Sequence, residues 1–95
     1  MRLFWTAEAI EDRRSIYGYI EADNPSAALA LDERIFENAR RLTDHPGLGR
    51  LGRVAGTREW VAHPNYIVIY DTVSDQQVRI LRVLHAARRC PPPRA

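Results

Sequence analysis

Apolar residues recur at helical spacing soon after the N-terminus, at Ala9, Ile10, Ile16, Tyr17 and Ile20. Side chains with such spacing share one face of a helix. Thr6 lies just before this segment and is a good N-cap residue, and Glu8 places a negative charge in the first turn, where it favours the helix dipole. The pattern therefore predicts a helix from about Ala7 to Ala22.

A second apolar stripe follows an Asp-Asn-Pro break and consists of Ala28, Leu31, Ile35, Ala39 and Leu42. Asn24 is suited to cap this helix, and Pro25 to occupy its first position, where a missing N–H costs nothing. The helix is predicted to end near Asp44, before Pro46 and Gly47. Because the link between the two helices is short, they are expected to form an antiparallel hairpin.

The remaining segments favour β-strands. Residues 3–5 predict a short first strand, and β-branched or aromatic residues predict three more over 58–61, 66–71 and 77–85. Residues 46–52 contain three glycines, but neither the spacing nor the absence of lysine fits a P-loop, so a flexible connector is predicted. The order β-α-α-β-β-β predicts an α+β domain in which a helical hairpin packs on a small, mostly antiparallel sheet.

Alternation along the strand over residues 66–71 predicts two apolar faces. Tyr66 and Tyr70 share one face, and Ile67 and Ile69 share the other. The helical hairpin can cover only one face. A partner protein or a second copy of the chain is therefore expected on the other face.

Composition limits the chain to one domain over residues 1–95, with a short basic, proline-rich tail from about residue 86. No apolar run reaches the roughly 18 residues needed to cross a membrane. Acidic residues at Glu8, Glu11 and Asp12 interrupt any signal-peptide pattern, so a cytoplasmic protein without membrane contact is expected.

All 14 basic residues are arginine, and the net charge of +2 is too small to indicate nucleic-acid binding. Their distribution is uneven, because residues 76–95 contain five arginines and no acid. Arg82 lies between two apolar residues of a predicted strand, so it needs an ion-pair partner. Glu59 and Asp71 on neighbouring strands are the candidates.

Few side chains suggest chemistry. His85 ends the last predicted strand, where it could act as a general acid or base, or pack as an ordinary strand-end histidine. His45 and His63 fall in predicted loops, and their spacing fits no known metal site. Cys90 is the single cysteine and is expected to be an incidental surface thiol. No metal and no cofactor are expected.

Several segments, in this order, resemble the ParE branch of the RelE/ParE superfamily, the toxins of bacterial type II toxin–antitoxin modules. The resemblance covers nearly the whole chain. It rests on residues 3–6, 17–20, 24–25, 42–46, 49–50, 56–59, 66–70 and 78–88.

The resemblance implies one of two activities. ParE-like members inhibit DNA gyrase, whereas RelE-like members cut messenger RNA in the ribosome. Ribonuclease members typically carry arginine where this chain has Ile67, and isoleucine cannot stabilise a charged phosphate. We therefore expect a gyrase inhibitor that acts by binding, without catalytic residues. A RelE-like endonuclease using His85, Arg82 and Arg58 is the alternative, and a non-toxic module that only regulates transcription is a third.

The resemblance also implies a ParD-like antitoxin, which would supply the only contact with DNA. The implied antitoxin groove includes Tyr17, Ile20, Leu31 and Ile35, and the arginine-rich surface suits acidic residues of an antitoxin tail. For the target, the expected contacts are Arg79, His85, Arg88 and Arg89, of which the last two leave the strand and are freest to reach out.

Overall fold

The computed structural model describes residues 1–88. Along the chain, strand β1 and two helices precede four further strands and a short 3-10 turn. The bounds are β1 Arg2–Trp5, α1 Ala7–Glu21, α2 Pro25–Asp44, β2 Arg50–Leu51, β3 Arg58–His63, β4 Tyr66–Val73, β5 Gln77–His85 and the turn Ala86–Arg88. None of the helices within residues 1–88 has the length and apolar character of a membrane span.

The strands form one five-stranded sheet in the order β1-β5-β4-β3-β2. β1 runs parallel to β5, and every other neighbouring pair is antiparallel. The core contains the α2 stripe and one face of the sheet, and its fully buried larger members are Ile35, Leu42, Val68, Tyr70, Val78, Ile80 and Val83. The predicted α+β class and helical hairpin are confirmed.

Both predicted helix caps are present. The hydroxyl of Thr6 accepts a hydrogen bond from the backbone N–H of Ala9 at 3.1 Å and donates to the carbonyl of Leu81 at 3.0 Å. Asn24 accepts from the N–H of Ala27 at 3.1 Å, and Pro25 occupies the first turn. Thr6 therefore begins α1 and also attaches it to the centre of the sheet.

The two helices contribute unequally to the core. α2 buries five residues, whereas Ala9 is the buried residue of α1. Ile16 and Ile20 of α1 are only partly buried against the core. α1 therefore contributes little to the core, and much of its surface is available for other contacts.

Residues 46–52 differ from the predicted flexible connector. Arg50 and Leu51 form strand β2, which pairs with Arg58 and Glu59 at the start of β3. The buried Tyr70 hydroxyl accepts from the Gly49 N–H at 2.9 Å and donates to the Pro46 carbonyl at 2.7 Å. The segment is therefore anchored.

Gly49 is required at this anchor because a Cβ there would lie 2.7 Å from the Tyr70 hydroxyl oxygen and 2.8 Å from the Glu59 carbonyl oxygen. Burial raises the pKa of Tyr70, which keeps its proton available for donation. A single buried tyrosine thus fixes the path of the chain between α2 and the sheet.

α2 also protects the edge of β3 beyond the short β2. The carbonyl of Ala62 accepts from Arg34 at 3.1 Å and from Asn38 at 3.4 Å. The indole N–H of Trp60 donates to Asn38 at 2.9 Å. The bonds to Ala62 satisfy a backbone carbonyl that would otherwise be free for strand pairing.

The two faces of β4 follow the predicted alternation. Tyr66, Val68 and Tyr70 belong to the core beneath the helices. Ile67 lies on the opposite face and is 4% exposed, and its register partners are Val61 and Leu84. A register shift between Ile69 and Tyr70 allows Leu81 to bulge from β5. That a separate molecule covers the face of Ile67 stays a prediction.

Replacing Tyr70 by phenylalanine should lower the free energy of unfolding by about 1–3 kcal/mol, because the Gly49 N–H and Pro46 carbonyl lose a buried partner. Urea titration followed by circular dichroism measures this change. Tyr19→Phe is the matched control, because Tyr19 is 80% exposed, and its effect should stay within about 0.5 kcal/mol. Equal stability of the two variants would contradict the proposed anchor.

Candidate functional site

A cleft runs along the outer side of the helical hairpin. Its volume is about 390 Å³, and its lining residues are Ile10, Arg13, Arg14, Tyr17, Gly18, Glu21 and Asp32. The cleft arises because the α1 residues lie at helical spacing on the face turned away from the sheet. A neighbouring depression shares Arg13 and Asp32 and extends along α2 past Phe36.

Arg13 is the fixed centre of this surface. Its guanidinium forms a bidentate salt bridge with the Asp32 carboxylate, with N···O distances of 3.0 and 2.8 Å. It also lies 4.5 Å from the centroid of the Trp5 ring and 5.6 Å from that of Phe36. Paired hydrogen bonds and contacts with two rings restrain its rotation. Arg13 therefore joins β1, α1 and α2 at one point.

Apolar side chains are exposed around this fixed centre. Ile10 and Phe36 are exposed, and Tyr17 is half-buried. Gly18 leaves open space, since a Cβ there would meet no atom within 4 Å. An apolar surface of this shape can accept side chains of a partner.

The charges near the cleft are mixed. Arg13 and Arg14 face four carboxylates, from Glu21, Asp32, Glu33 and Glu37. The sequence-based expectation that arginines here attract an acidic tail is therefore not supported along the cleft. Apolar contact is the main attraction that this surface offers.

The predicted antitoxin-contact residues are divided by the fold. Tyr17 lines the cleft, and Ile20 packs against the core. Leu31 and Ile35 are buried members of the core and have almost no surface to present. The sequence analysis missed Ile10, Arg13 and Phe36 as cleft residues. For Ile10 and Arg13 the sequence contains a signal, because both share the helical face of Tyr17.

The residues assigned to the alternative ribonuclease are not brought together. Arg58 begins β3 and donates to the Gly49 carbonyl at 2.7 Å. His85 ends β5 and pairs with Tyr66 of β4, whereas Arg58 pairs with Tyr70. The two residues are therefore separated by four residues along β4, or about 13 Å. Arg82 lies opposite Ile69, and the odd-numbered positions of β4 point away from the face that carries the other two.

Arg82 has a different partner from those predicted. It makes a two-bond contact with Asp12 of α1, at 2.7 and 3.0 Å, and these hydrogen bonds raise its pKa. The same carboxylate accepts the N–H of Val83 at 2.9 Å. The predicted partners bind other arginines, since Glu59 pairs with Arg50 and Asp71 with Arg79. Asp12 therefore attaches α1 to β5.

The predicted target-contact residues also lie apart. Arg79 donates to Asp71 at 3.0 and 2.7 Å, on the sheet face opposite His85 and about 20 Å along the strand. The Arg88 side chain and the whole of Arg89, together with Cys90, lie outside the part that the structure describes. Arg79 and His85 cannot belong to one small contact.

Two histidines flank Tyr66 at one end of the sheet. The ring centroids of Tyr66 and His85 are 5.1 Å apart in an edge-on arrangement, and those of Tyr66 and His63 are 6.0 Å apart. His63 ends β3, contrary to the predicted loop position. His63 Nδ1 accepts the Asn65 N–H at 3.0 Å, and His85 Nδ1 accepts the Ala87 N–H at 3.1 Å. Each histidine ring therefore stabilises the turn that follows its strand.

Within residues 1–88 there is no group of three His, Cys, Asp or Glu side chains that could hold a metal ion. Of the residues considered for catalysis, each described one has a structural partner.

Comparison with known proteins gives consistent matches. A sequence model described as the ParE toxin of type II toxin–antitoxin system, parDE, matches residues 3–90. The chain is 40% identical to toxin Y4kP of Sinorhizobium fredii over 91 residues, which are 95% of this chain and 93% of the relative. It is 38% identical to toxin RelE2 of Caulobacter vibrioides over 87 residues, 92% of this chain and 97% of the relative.

The fold also matches a solved toxin structure. A chain of the chromosomal ParDE TA system from P. aeruginosa superposes with a TM-score of 0.79 and 27% identity, covering 90% of this chain and 95% of that chain. The helical hairpin and sheet described above are therefore shared with a known toxin–antitoxin system.

The environment of His63 predicts a pH dependence of stability. Burial, and then the nearby Arg34, lowers the pKa of His63. The unfolded chain therefore binds more protons just below the ordinary pKa of about 6.5, and stability falls as the pH falls through that value. His63→Asn keeps an acceptor for the Asn65 N–H and should lose less stability than the original chain between neutral and mildly acidic pH. Urea titrations across this range test the difference, and parallel pH profiles would contradict it.

Proposed function

The chain belongs to the ParE toxin family of type II toxin–antitoxin systems, and from this premise we propose that it acts by binding DNA gyrase and not by cleaving RNA. An antitoxin that occupies the cleft between α1 and α2 holds it inactive.

The observation that carries the proposal is the dispersal of the candidate catalytic groups. Cleavage of RNA requires an acid, a base and a cation to converge on one phosphate within hydrogen-bond reach. Arg58, Arg82 and His85 lie on two faces of the sheet. Arg58 is bonded to the Gly49 carbonyl and Arg82 to Asp12 of α1, and moving either arginine to a common phosphate would break those bonds. His85 accepts only from Ala87 in the turn that follows it.

The surroundings of Ile67 support the same conclusion. Its side chain is buried on the sheet face opposite the helices, across from Val61 on β3 and Leu84 on β5. Both of these register partners are apolar, and Ile67 itself supplies no positive charge to a phosphate in a transition state. Arg82, opposite Ile69 on the same face, is paired with Asp12. Both the missing cation and the dispersed groups favour inhibition by binding.

An antitoxin partner is supported by the relatives and by the cleft. The matching P. aeruginosa structure is of a ParDE TA system. In this chain Ile10 and Phe36 are exposed on either side of Arg13, which offers apolar anchoring points around a rigid centre. An amphipathic antitoxin segment that buries its apolar side chains there fits this surface.

The purified chain should inhibit supercoiling by gyrase, and its addition to translating ribosomes should leave the message intact. Equimolar antitoxin should restore supercoiling, because it competes for the free toxin. The two assays, gel analysis of plasmid topology and primer extension on ribosome-bound message, are run with one protein preparation. Message cleavage by substoichiometric toxin, with supercoiling unaffected, would instead establish the RelE-like endonuclease.

Ile10→Glu should weaken antitoxin binding about 10- to 100-fold, because an apolar contact worth about 1.5–3 kcal/mol is lost. Leu29→Glu is the matched control on α2, since Leu29 is exposed to a similar extent but does not line the cleft. Calorimetry with the purified antitoxin, at low and at high salt, measures both variants. A control that weakens binding as much as Ile10→Glu would place the antitoxin elsewhere.

A further inference from the structure

The hairpin that joins β2 to β3 has an unusual surface. Leu51 and Val54 are 76% and 69% exposed, and among the large apolar residues of positions 1–88 only Tyr19 is more exposed. The sequence from His45 to Arg58 contains three arginines and no acid. We name the exposed residues Leu51, Arg53 and Val54 the hairpin tip. The tip combines apolar side chains with a positive charge.

Several backbone bonds hold this hairpin in one conformation. The Gly52 N–H donates to the Thr57 carbonyl at 2.8 Å. The Thr57 N–H and hydroxyl both donate to the Val54 carbonyl, at 3.1 and 2.7 Å. Gly56 has a φ of +85°, a conformation that side chains rarely adopt. The tip is therefore preformed, and its ordering entropy is not lost again on binding.

A buried carboxylate supports the tip from below. Glu59 is 6% exposed, and its oxygens accept from the Arg50 guanidinium at 3.3 Å and the Arg53 backbone N–H at 3.4 Å. A buried carboxylate is costly unless hydrogen-bonded, so the position of the Arg53 backbone is coupled to that of β3. The ion pairs of residues 1–88 include Arg50 but not Arg53, whose side chain is exposed.

The tip lies far from the antitoxin cleft. β2 and β1 are opposite edges of the sheet, four strand spacings apart, or about 19 Å. The cleft centre contacts Trp5 at the end of β1. The cleft and the tip are thus separate surfaces with apolar side chains, the first recessed and mixed in charge, the second protruding and basic.

We propose that the hairpin tip is the element that contacts the protein target, where Leu51 and Val54 enter an apolar pocket and Arg53 meets carboxylates at its rim. The inference rests on the proposed function, in which the chain acts by binding a protein. Charge complementarity determines the partner, since an exposed arginine whose guanidinium is in no ion pair attracts a negatively charged surface. A nucleic-acid backbone fits less well, because phosphates offer no partner to the two apolar side chains.

Two variants test the tip, Leu51→Ser with Val54→Ser, and Arg53→Glu. Each should weaken binding to purified gyrase by at least about tenfold, as loss of an anchoring residue does. Affinity for the antitoxin and the thermal unfolding midpoint should not change, because these side chains are exposed and distant from the cleft. Tyr19→Ser, which removes an equally exposed aromatic side chain from α1, should leave gyrase binding intact.

Gyrase inhibition by the tip variants at the level of the original chain overturns the inference and leaves the proposed function standing. Failure of the original chain itself to bind gyrase overturns the proposed function, and the tip is then tested by growth arrest in cells. Loss of arrest in the tip variants, with antitoxin binding retained, supports contact with another protein target. Unchanged arrest, or an original chain that causes none, overturns the tip as well.

A binding assay with duplex DNA in the absence of gyrase completes the test. If the original chain binds duplex DNA and the tip variants do not, while their binding to DNA-free gyrase is unchanged, the tip is a nucleic-acid contact and the inference is overturned. Absence of DNA binding by the original chain, with gyrase binding lost in the variants, supports the protein pocket.

Discussion

Burial of the α2 stripe against one face of the sheet is the contact on which the rest of the structure depends. Ile35, Ala39 and Leu42 are fully buried, in one core cluster with residues of β3, β4 and β5. Because α2 occupies this position, its side chains Arg34 and Asn38 reach the edge of β3. α1 buries far less and lies outside this contact, so the groove between the helices remains open to a partner. The same packing that stabilises the fold thus creates the cleft.

Arginines connect the elements around this core. Arg13 links α1 to α2, Arg82 links β5 to α1, and Arg79 links β5 to β4, each through a two-bond contact with an aspartate. Guanidinium forks suit these roles, since they pair with carboxylates in a defined geometry and keep their charge. The positive charges of these three arginines are therefore paired within the fold. For this reason the number of arginines overstates the charge that a ligand would meet, whereas Arg53 is exposed at the hairpin tip and takes part in none of the ion pairs of residues 1–88.

The family places the chain among type II toxins, and the two surfaces proposed to bind antitoxin and target lie apart on its fold. The cleft on the hairpin and the tip on β2–β3 are at opposite edges of the sheet. The five-stranded sheet lies between them, and its inner strands β4 and β5 carry most of the buried residues that the sheet contributes to the core. If the proposed sites are correct, a substitution in one surface should leave binding at the other unchanged.

The sequence by itself determined the helices, their caps, the four longer strands and the α+β class, because these depend on local spacing and on residues such as Thr6, Asn24 and Pro25. Tertiary structure decided the partner of Arg82, since Asp12 lies 70 positions away and becomes a neighbour only when α1 crosses β5. It also decided the path of residues 46–52, which depends on the buried Tyr70 hydroxyl. Exposure was decided in the same way: Leu31 and Tyr17 both lie on apolar stripes, but packing buries one and leaves the other in the cleft. Local pattern specifies which face of an element is apolar, whereas the neighbours that cover that face come from distant parts of the chain.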